Sequence, residues 1–174
     1  MEYVILVDEN DQEIGQMEKM EAHEKALLHR AFSIFLFNDK NELLLQQRAH
    51  SKYHSGGLWT NTCCSHPRAG ETVLEAANRR LMEEMGIEAE MQPEFSFIYR
   101  AELDNDLTEY ELDHVVLGTF NGEPVINLEE VAAWKYVSMK EIEADMKANP
   151  ENYTAWFRIV FDEVHNRTRN YAEI

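Results

Sequence analysis

The segment between Thr72 and Gly86 constrains the fold more than any other part of the sequence, because it predicts a helix with both ends defined. Thr72 lies three residues before Glu75, which is the spacing of a capping box at a helix N-terminus. The residues that follow to Met85 are mostly strong helix formers. Gly86 then suits the left-handed conformation in which many helices end. A helix is therefore expected from Thr72 to Met85.

Segments rich in β-branched, aromatic and aliphatic residues lie on both sides of this helix and predict strands. They are Tyr3–Val7, 31–37, Glu42–Arg48, 58–62, 95–103 and 111–120. The segment Asn-Asp-Lys-Asn at 38–41 lies between two of them and indicates a hairpin turn. Further helices are expected at 138–148, before Asn149 and Pro150, and at 154–165. This order of strands and helices predicts an α/β or α+β fold, in which a mixed sheet is sandwiched by helices.

The length and apolar content of the chain suit one domain. No linker, repeat or low-complexity segment divides the sequence, so residues 1–174 are expected to form a single domain. No apolar run approaches the roughly 18 residues that a membrane helix needs. The first residues also lack the pattern of a signal peptide. A cytoplasmic protein is therefore expected.

The formal net charge of −17 limits the partners that the surface can attract. Such a surface would repel nucleic acid and anionic membranes, so neither is expected to bind. The same charge would repel a diphosphate. A phosphate site on this chain would therefore have to be built locally from cations and metal ions.

Three histidines and two glutamates could form a metal site if the fold brings them together. His23, His29 and His66 lie in separate segments of the chain. Glu109 and Glu111 are two residues apart, so on a strand both carboxylates would project from the same face. Three imidazoles and two carboxylates would suit Zn²⁺ or Mn²⁺. Each of these residues alone is more typical of a solvated surface or a hydrogen-bonded core position.

Cys64 and His66 form a second candidate group. A thiol two residues from an imidazole can be a pair of metal ligands, an acid–base pair, or a nucleophile with its base. The alternative is that Cys63 and Cys64 are two small thiols buried in a core strand. Because these are the only two cysteines and are adjacent, a disulfide is not expected, and reduced thiols fit a reducing compartment.

The predicted helix carries a third candidate group, Arg80 and Glu84, which are one turn apart on the same face. A carboxylate there could hold Mg²⁺, and the neighbouring guanidinium could bind phosphate oxygens bidentately. The alternative is an ordinary pair of surface salt bridges, in which Arg79 pairs with Glu83 and Arg80 pairs with Glu84.

The same helix segment resembles the Nudix box, in which glycine, glutamate and arginine recur at fixed spacing. The matching residues are Glu71, Arg79, Leu81, Glu83, Glu84, Gly86 and Ile87. Two positions differ, since Ser65 stands in place of the first glycine and Arg80 in place of the glutamate after the arginine. This altered box and four further motifs together resemble the type I isopentenyl-diphosphate Δ-isomerase family. The motifs are Leu-Leu-His-Arg-Ala-Phe-Ser at 27–33, Leu-Leu-Leu-Gln-Gln-Arg at 43–48, Thr-Asn-Thr-Cys-Cys-Ser-His-Pro at 60–67 and Glu-Tyr-Glu at 109–111.

The resemblance runs from about Lys19 to Trp156 and implies a Nudix-like fold. It implies an enzyme that isomerises isopentenyl diphosphate to dimethylallyl diphosphate through a tertiary carbocation, in isoprenoid biosynthesis. It further implies one transition-metal ion, Mn²⁺ or Zn²⁺, and Mg²⁺ bound with the substrate diphosphate. A monomer or weak dimer is expected.

The matching motifs also imply a role for each site residue. The catalytic residues would be Cys64, Glu111, Tyr99 and Trp156, of which the last two would line the hydrocarbon pocket. The transition-metal ligands would be His23, His29, His66, Glu109 and Glu111, and Glu84 would hold Mg²⁺. The diphosphate would contact Lys19, Arg48, Lys52 and Arg80. The spacing of six between His23 and His29 is one residue shorter than the common family pattern.

Two alternatives use the same helix. A Nudix pyrophosphohydrolase acting on a nucleoside diphosphate derivative would need the helix but would leave the histidines and Cys64 without a role. A non-catalytic Nudix-like module could bind a diphosphate ligand and a partner protein. Arg80 favours the isomerase, because a guanidinium does not bind metal but does bind a phosphate that stays intact.

Overall fold

The computed structural model describes residues 2–172, which form nine strands, four α-helices and one 3₁₀ turn. Within these residues no helix combines the length and the apolar character that a bilayer crossing requires. In chain order the elements are β1 (Tyr3–Val7), β2 (Glu13–Glu18), α1 (Lys19–Lys25), β3 (His29–Phe37), β4 (Glu42–Arg48), β5 (Trp59–Thr60), β6 (Cys63–Ser65), α2 (Val73–Met85), β7 (Met91–Glu102), β8 (Thr108–Thr119), β9 (Val131–Ser138), α3 (Met139–Ala148), the 3₁₀ turn (Pro150–Asn152) and α4 (Ala155–Ala172).

Strand β3 lies at the centre of the sheet. One of its edges pairs in parallel with β8 over its whole length, from His29 opposite Glu111 to Phe37 opposite Thr119. Strand β8 in turn pairs antiparallel with β7. The other edge of β3 pairs successively with β1, β6 and β4, and β4 continues the sheet to β9 and β5. Parallel and antiparallel pairs therefore occur in one sheet, and the predicted mixed sheet is confirmed.

The hairpin predicted around 38–41 forms only at its turn. Strands β3 and β4 pair at a single position, Phe37 opposite Leu43, and then diverge. Thr62 fills the gap, because its hydroxyl donates to the carbonyl of Leu44 and accepts the N–H of Leu36. The strand predicted at 58–62 is therefore shorter than expected, and the chain enters the separate strand β6 directly after Thr62.

Helices cover both faces of the sheet. The side chains of Phe32, Ile34 and Leu36 alternate along β3 and pack with α2 in one core. Phe35 projects from the opposite face and packs with α3 and α4 in a second core. Burying one such side chain stabilises the fold by about 1.5–3 kcal/mol, so these contacts stabilise the packing of both helical layers against the sheet. The sandwich predicted from the sequence is confirmed.

Helix α2 begins and ends as the sequence predicts. The Thr72 hydroxyl accepts the N–H of Glu75, and the Glu75 carboxylate accepts the N–H of Thr72. Gly86 has a φ of 64°, and a Cβ at this position would lie 2.7 Å from the carbonyl oxygen of Val125. Only glycine fits there without displacing the backbone, which explains the sharp end of the helix.

Besides the short strand β6 and the 3₁₀ turn, three longer elements were not predicted: β2, α1 and β9. Strand β2 is polar and lies at a sheet edge, so it lacks an alternating apolar pattern. Helix α1 has only seven residues. Strand β9 contains two alanines, which favour strands weakly. Helix α4 also continues to Ala172, well beyond the predicted end at 165.

Candidate active site

Strand β8 presents three buried carboxyl groups on one face of the sheet. Glu109, Glu111 and Asp113 alternate along the strand, so their side chains project in the same direction. Tyr99 on β7 and His29 on β3 lie directly opposite Glu111 in the sheet register. The Tyr99 hydroxyl donates to Glu111 Oε1 at 2.8 Å. Glu111 is therefore at the centre of a row that crosses three strands.

Three histidines from different elements meet beside this row. Helix α1 supplies His23, β3 begins with His29, and His66 follows β6. The ring centroids are 5.1 Å apart for His23 and His29, 5.1 Å for His29 and His66, and 5.9 Å for His23 and His66. The fold thus brings the predicted histidines together despite the short spacing between His23 and His29.

The hydrogen bonds of His23 and His29 determine which ring nitrogen of each can bind a metal ion. His23 Nδ1 lies 2.7 Å from the carbonyl oxygen of Lys19, and His29 Nδ1 lies 2.9 Å from that of Leu27. Because a carbonyl oxygen only accepts, both rings carry their proton on Nδ1. Each Nε2 therefore offers a lone pair, and neither has a hydrogen-bond partner.

Sequence reasoning missed a fourth histidine, His54, in the loop between β4 and β5. Its side chain is 1% exposed and its ring centroid lies 5.6 Å from that of His23. The Nε2 atom lies 3.8 Å from Glu109 Oε1 and has no hydrogen-bond partner. One signal in the sequence could have identified His54 as a site residue. It lies two residues after Lys52, which was already predicted to contact the substrate.

These side chains fit a divalent transition-metal ion. The potential ligand atoms of His23, His29 and His66 all lie within 4.8 Å of one another, and so do those of His23, His54 and Glu109. Glu111 Oε2 lies 3.3 Å from His66 Nε2 and 3.8 Å from His29 Nε2. Buried nitrogens and carboxylates without partners are unfavourable unless a cation binds them.

Burial keeps the imidazoles neutral. Removal from water lowers the pKa of His66 to about 3 and that of His29 well below its usual range. Neutral imidazole is the form that binds a metal ion, so this part of the site is prepared for one.

Burial also raises the pKa of the carboxyl groups, to about 7 for Glu111 and to about 8 for Asp113. The pKa of Glu109 is raised as well, by burial and then by the nearby charge of Glu111. Glu111 can therefore exchange a proton near neutral pH.

Cys64 faces the same cavity. The indole N–H of Trp156 donates to its sulfur at 3.1 Å, and the thiol donates to Asn61 Oδ1 at 3.0 Å. Ser33 lies 3.7 Å from the sulfur and itself donates to Asp113 at 2.7 Å. Burial raises the pKa of Cys64, which holds it as a thiol. The cavity that Cys64 lines is also lined by Arg48, Tyr99, Glu109, Glu111 and Trp156.

The predicted diphosphate contacts lie in or near this cavity, and Lys19 and Lys52 lie 4.4 and 5.9 Å from the ring of Tyr53, which lines it. Arg48 is inside, with its guanidinium 5.2 Å from the Trp156 ring. The other three cations form ion pairs with carboxylates. Lys19 pairs with Glu2, and Lys52 pairs with Glu130. Arg80 pairs with both Glu84 and Glu130. A second depression next to the cavity is lined by His66, Arg68 and Arg80. Arg68 was not predicted from the sequence.

The salt bridges proposed as the alternative for the helix are present. Arg79 lies 3.0 Å from Glu83 and 2.8 Å from Glu71, and Arg80 lies 2.8 Å from Glu84. The Arg80–Glu84 pair is not a surface pair, since the two side chains are 13% and 5% exposed. Glu84 belongs to neither group of potential metal ligands.

A wider cleft of about 450 Å³ lies at the opposite end of the sheet. Phe37, Leu117 and Met139 line it, and its polar lining includes His165 and Arg169. None of the potential metal-ligand groups found among the described residues lies there. The potential metal ligands therefore lie around the smaller cavity that Cys64 and Glu111 line.

Comparison with known proteins shows the family of this chain. The NUDIX domain model matches residues 27–157. The chain is 53% identical to the "Isopentenyl-diphosphate Delta-isomerase" of Pectobacterium atrosepticum, over 92% of this chain and 90% of that protein. It is 50% identical to the "Isopentenyl-diphosphate Delta-isomerase 2" of Aromatoleum aromaticum, over 92% of this chain and 85% of that protein.

Solved structures share the fold at low sequence identity. DR0079 from Deinococcus radiodurans superposes with a TM-score of 0.78 at 20% identity, over 93% of this chain and 98% of that one. The MutT protein from Methanosarcina mazei gives a TM-score of 0.65 at 21% identity, over 81% of this chain and 95% of that one. These similarities concern the fold alone.

Proposed function

We propose that this chain, which belongs to the NUDIX-domain family of isopentenyl-diphosphate Delta-isomerases, converts isopentenyl diphosphate to dimethylallyl diphosphate in isoprenoid biosynthesis. The observation that carries the proposal is the pairing of Cys64 and Glu111 in one buried cavity. Both are groups that can give or take a proton, and a pyrophosphohydrolase would have no use for the thiol.

The reaction requires two proton transfers at different carbons. A proton adds to the terminal CH₂ of the substrate, and the electrons of the double bond form the new C–H bond. The central carbon becomes a tertiary cation. Loss of a proton from the carbon nearer the diphosphate then gives the electrons of that C–H bond to the new double bond. One group must act as the acid and another as the base.

Cys64 and Glu111 are the proposed acid–base pair. Either could provide the first proton, since burial keeps the thiol protonated and raises the pKa of Glu111 to about 7 in the metal-free protein. The Tyr99 hydroxyl holds Glu111 through one oxygen, and the indole N–H of Trp156 holds the sulfur of Cys64. These hydrogen bonds support a fixed orientation of both groups toward a substrate between them.

The intermediate cation has to be protected from water, which would capture it. Trp156 and Tyr99 are buried aromatic side chains at the cavity. An aromatic face stabilises a cation by about 0.5–2 kcal/mol or more when water is excluded. We assign both residues to the pocket that receives the hydrocarbon part of the substrate.

Two kinds of metal ion complete the proposal. His23, His29, His66, Glu109 and Glu111 would hold one Mn²⁺ or Zn²⁺ ion. That ion would supply positive charge that lowers the pKa of Glu111 and fixes its carboxylate. Glu84 would hold Mg²⁺ together with the substrate diphosphate.

The diphosphate would be bound by Lys19, Arg48, Lys52 and Arg80. Three of these cations are now paired with carboxylates, so an incoming anion would replace existing partners rather than meet free charges. The two free thiols suit a reducing compartment, and we propose that the protein works in the cytoplasm as a single-domain monomer or weak dimer.

The direct test is to incubate the purified protein with isopentenyl diphosphate, Mg²⁺ and Mn²⁺ or Zn²⁺. An acid-labile allylic product should accumulate, and no phosphate should be released. Phosphate release from a nucleoside diphosphate derivative, without isomerisation, would support a hydrolase instead. Diphosphate binding without turnover of either compound would support a non-catalytic module.

A further inference from the structure

His54 lies beside the proposed metal ligands but has no role in the function proposed above. It comes from the loop between β4 and β5, which supplies no other imidazole to the site. Its side chain is 1% exposed, so solvent does not satisfy its ring nitrogens. A buried imidazole nitrogen without a partner calls for a proton donor or a cation.

The two nitrogens of His54 have different surroundings. Nδ1 lies 3.0 Å from the hydroxyl of Ser55, which holds the ring in place. Nε2 has no hydrogen-bond partner, and it lies 3.8 Å from Glu109 Oε1. Nε2 therefore points toward the same carboxylate that is proposed as a metal ligand.

The distances suit one shared ion. With nitrogen ligands about 2.1 Å from a metal ion, neighbouring ligand atoms are about 3 Å apart and opposite ones about 4.2 Å apart. The ligand atoms of His23, His54 and Glu109 lie within 4.8 Å of one another, as do those of His23, His29 and His66. His23 belongs to both groups, but its Nδ1 is bound to a backbone carbonyl and only Nε2 is available. One nitrogen binds one ion, so the two groups surround a single centre.

We infer that His54 is a further ligand of the transition-metal centre, which then carries four imidazoles and two carboxylates. The inference rests on the metal centre of the proposed function and adds a residue to it. A fourth imidazole favours borderline ions such as Co²⁺ and Zn²⁺ over Mn²⁺ and Mg²⁺, because nitrogen donors bind those ions more strongly. His54 therefore also determines which ion the site selects.

The alternative is a purely structural His54, packed edge-on against Trp156 at 5.7 Å between ring centroids. Two variants separate these roles. In His54→Asn the amide can still reach the Ser55 hydroxyl, but no group remains at the Nε2 position. In His54→Gln the amide reaches toward that position and can act as a weak oxygen ligand. His165→Asn is the matched control, because His165 lies at the far end of the sheet.

The experiment is titration of the metal-free proteins with Co²⁺, using chelator competition for affinity and the visible absorption spectrum for ligand geometry. Wild type and His165→Asn should bind one ion with the same affinity and spectrum. His54→Asn should bind about 10- to 100-fold more weakly with a changed spectrum, and His54→Gln should lie between. The loss should be smaller for Mn²⁺ than for Co²⁺.

Three other results of this titration would contradict the assignment of His54 as a metal ligand. One bound Co²⁺ ion with unchanged affinity and spectrum in His54→Asn would exclude His54 as a ligand and leave the metal centre intact. Absence of Co²⁺ binding by the wild type would remove the metal centre itself, and His54 with it. If His54→Asn fails to fold, an unchanged spectrum and affinity in His54→Gln would overturn the inference instead.

Discussion

Cys63 and Cys64 are adjacent in β6 but lie on opposite faces of the sheet, in different surroundings. Cys63 is fully buried in the core against α2, with residues such as Ala76 and Leu81. Cys64 faces the cavity and has the indole N–H of Trp156 and the amide of Asn61 within hydrogen-bond distance. The same type of side chain therefore packs in the core on one face and lines the cavity on the other.

Two glutamates show the same difference between the faces. Glu84, on the α2 face, accepts hydrogen bonds from Gln46, Cys63 and Arg80, so both of its oxygens have partners. Glu111, on the cavity face, is held by Tyr99 through one oxygen and has a pKa raised by burial. The proposed acid–base groups therefore both lie on the cavity face, and the α2 face carries the glutamate whose two oxygens are already hydrogen-bonded.

Glu111→Gln should strongly reduce the rate of the reaction, and Glu84→Gln serves as its counterpart on the other face. Glu111→Gln should reduce kcat by about 10²–10⁴-fold, because general acid–base catalysis is worth that much. Glu84→Gln should mainly raise KM, because its proposed role is to bind Mg²⁺ with the substrate. Steady-state kinetics at saturating metal separates the two. A kcat loss in Glu84→Gln as large as that in Glu111→Gln would break the distinction between the faces.

Arg80→Ala should have the next largest effect, on substrate binding rather than on turnover. A charge-assisted bidentate contact is worth about 1.5–3 kcal/mol, which corresponds to about a ten- to hundredfold increase in KM. Arg80→Glu should be worse, because it places a carboxylate beside Glu84 and the diphosphate. Arg167→Ala removes a similar helical Arg–Glu pair far from the site and should leave KM unchanged.

An unchanged KM in Arg80→Ala would limit this residue to its salt bridge with Glu84. A gain of hydrolysis in Arg80→Glu, with isomerisation intact, would favour the hydrolase alternative. Both outcomes are measured with isopentenyl diphosphate and a nucleoside diphosphate sugar as the two substrates.

The stability of the metal-free protein should fall as the pH rises from about 6.5 to 8. Burial raises the folded-state pKa of Glu111 to about 7 and that of Asp113 to about 8, so the folded state binds more protons than the unfolded state in this range. The stabilisation is complete below the unfolded pKa and is lost as the pH passes the folded value. Asp113 alone should account for about 1–2 kcal/mol of this loss.

Urea unfolding at pH 6.5 and pH 8 measures this effect, and Asp113→Asn should reduce the difference between the two pH values. The buried histidines oppose this loss in part, because their pKa values are lowered in the folded state while an unfolded histidine is about half protonated at pH 6.5. Each adds about 0.4 kcal/mol of stability between pH 6.5 and pH 8, so the carboxyl groups together still determine the direction of the change. A pH-dependent stability change in Asp113→Asn as large as that of the wild type would show that Asp113 does not have a raised pKa in the metal-free protein.

The sequence predicted the features that depend on local residues. Both ends of helix α2 were predicted correctly, because Thr72, Glu75 and Gly86 determine them through contacts within the segment. The opposite orientation of Cys63 and Cys64 also follows from the alternation of side chains in a strand. Which of the two faces held the cavity depended on α2 and α4, and only the family resemblance indicated Cys64.

Features that depend on distant contacts were missed. The divergence of β3 and β4 results from Thr62, which is inserted between them from a later segment. His54 lies in a loop, where no periodic pattern marks a buried side chain. Its burial results from packing against His23 and Trp156, which come from opposite ends of the chain.

The measurement that tests the central claim most directly compares Cys64→Ala with Cys63→Ala in the isomerisation assay. Cys64→Ala should abolish detectable turnover while its circular dichroism spectrum and metal content stay those of the wild type. Cys63→Ala should keep most of the activity and lose only stability, by roughly 1–2 kcal/mol for the small cavity left in the core. Equal loss of activity in both variants, or full activity in Cys64→Ala, would contradict the assignment of chemistry to the cavity face.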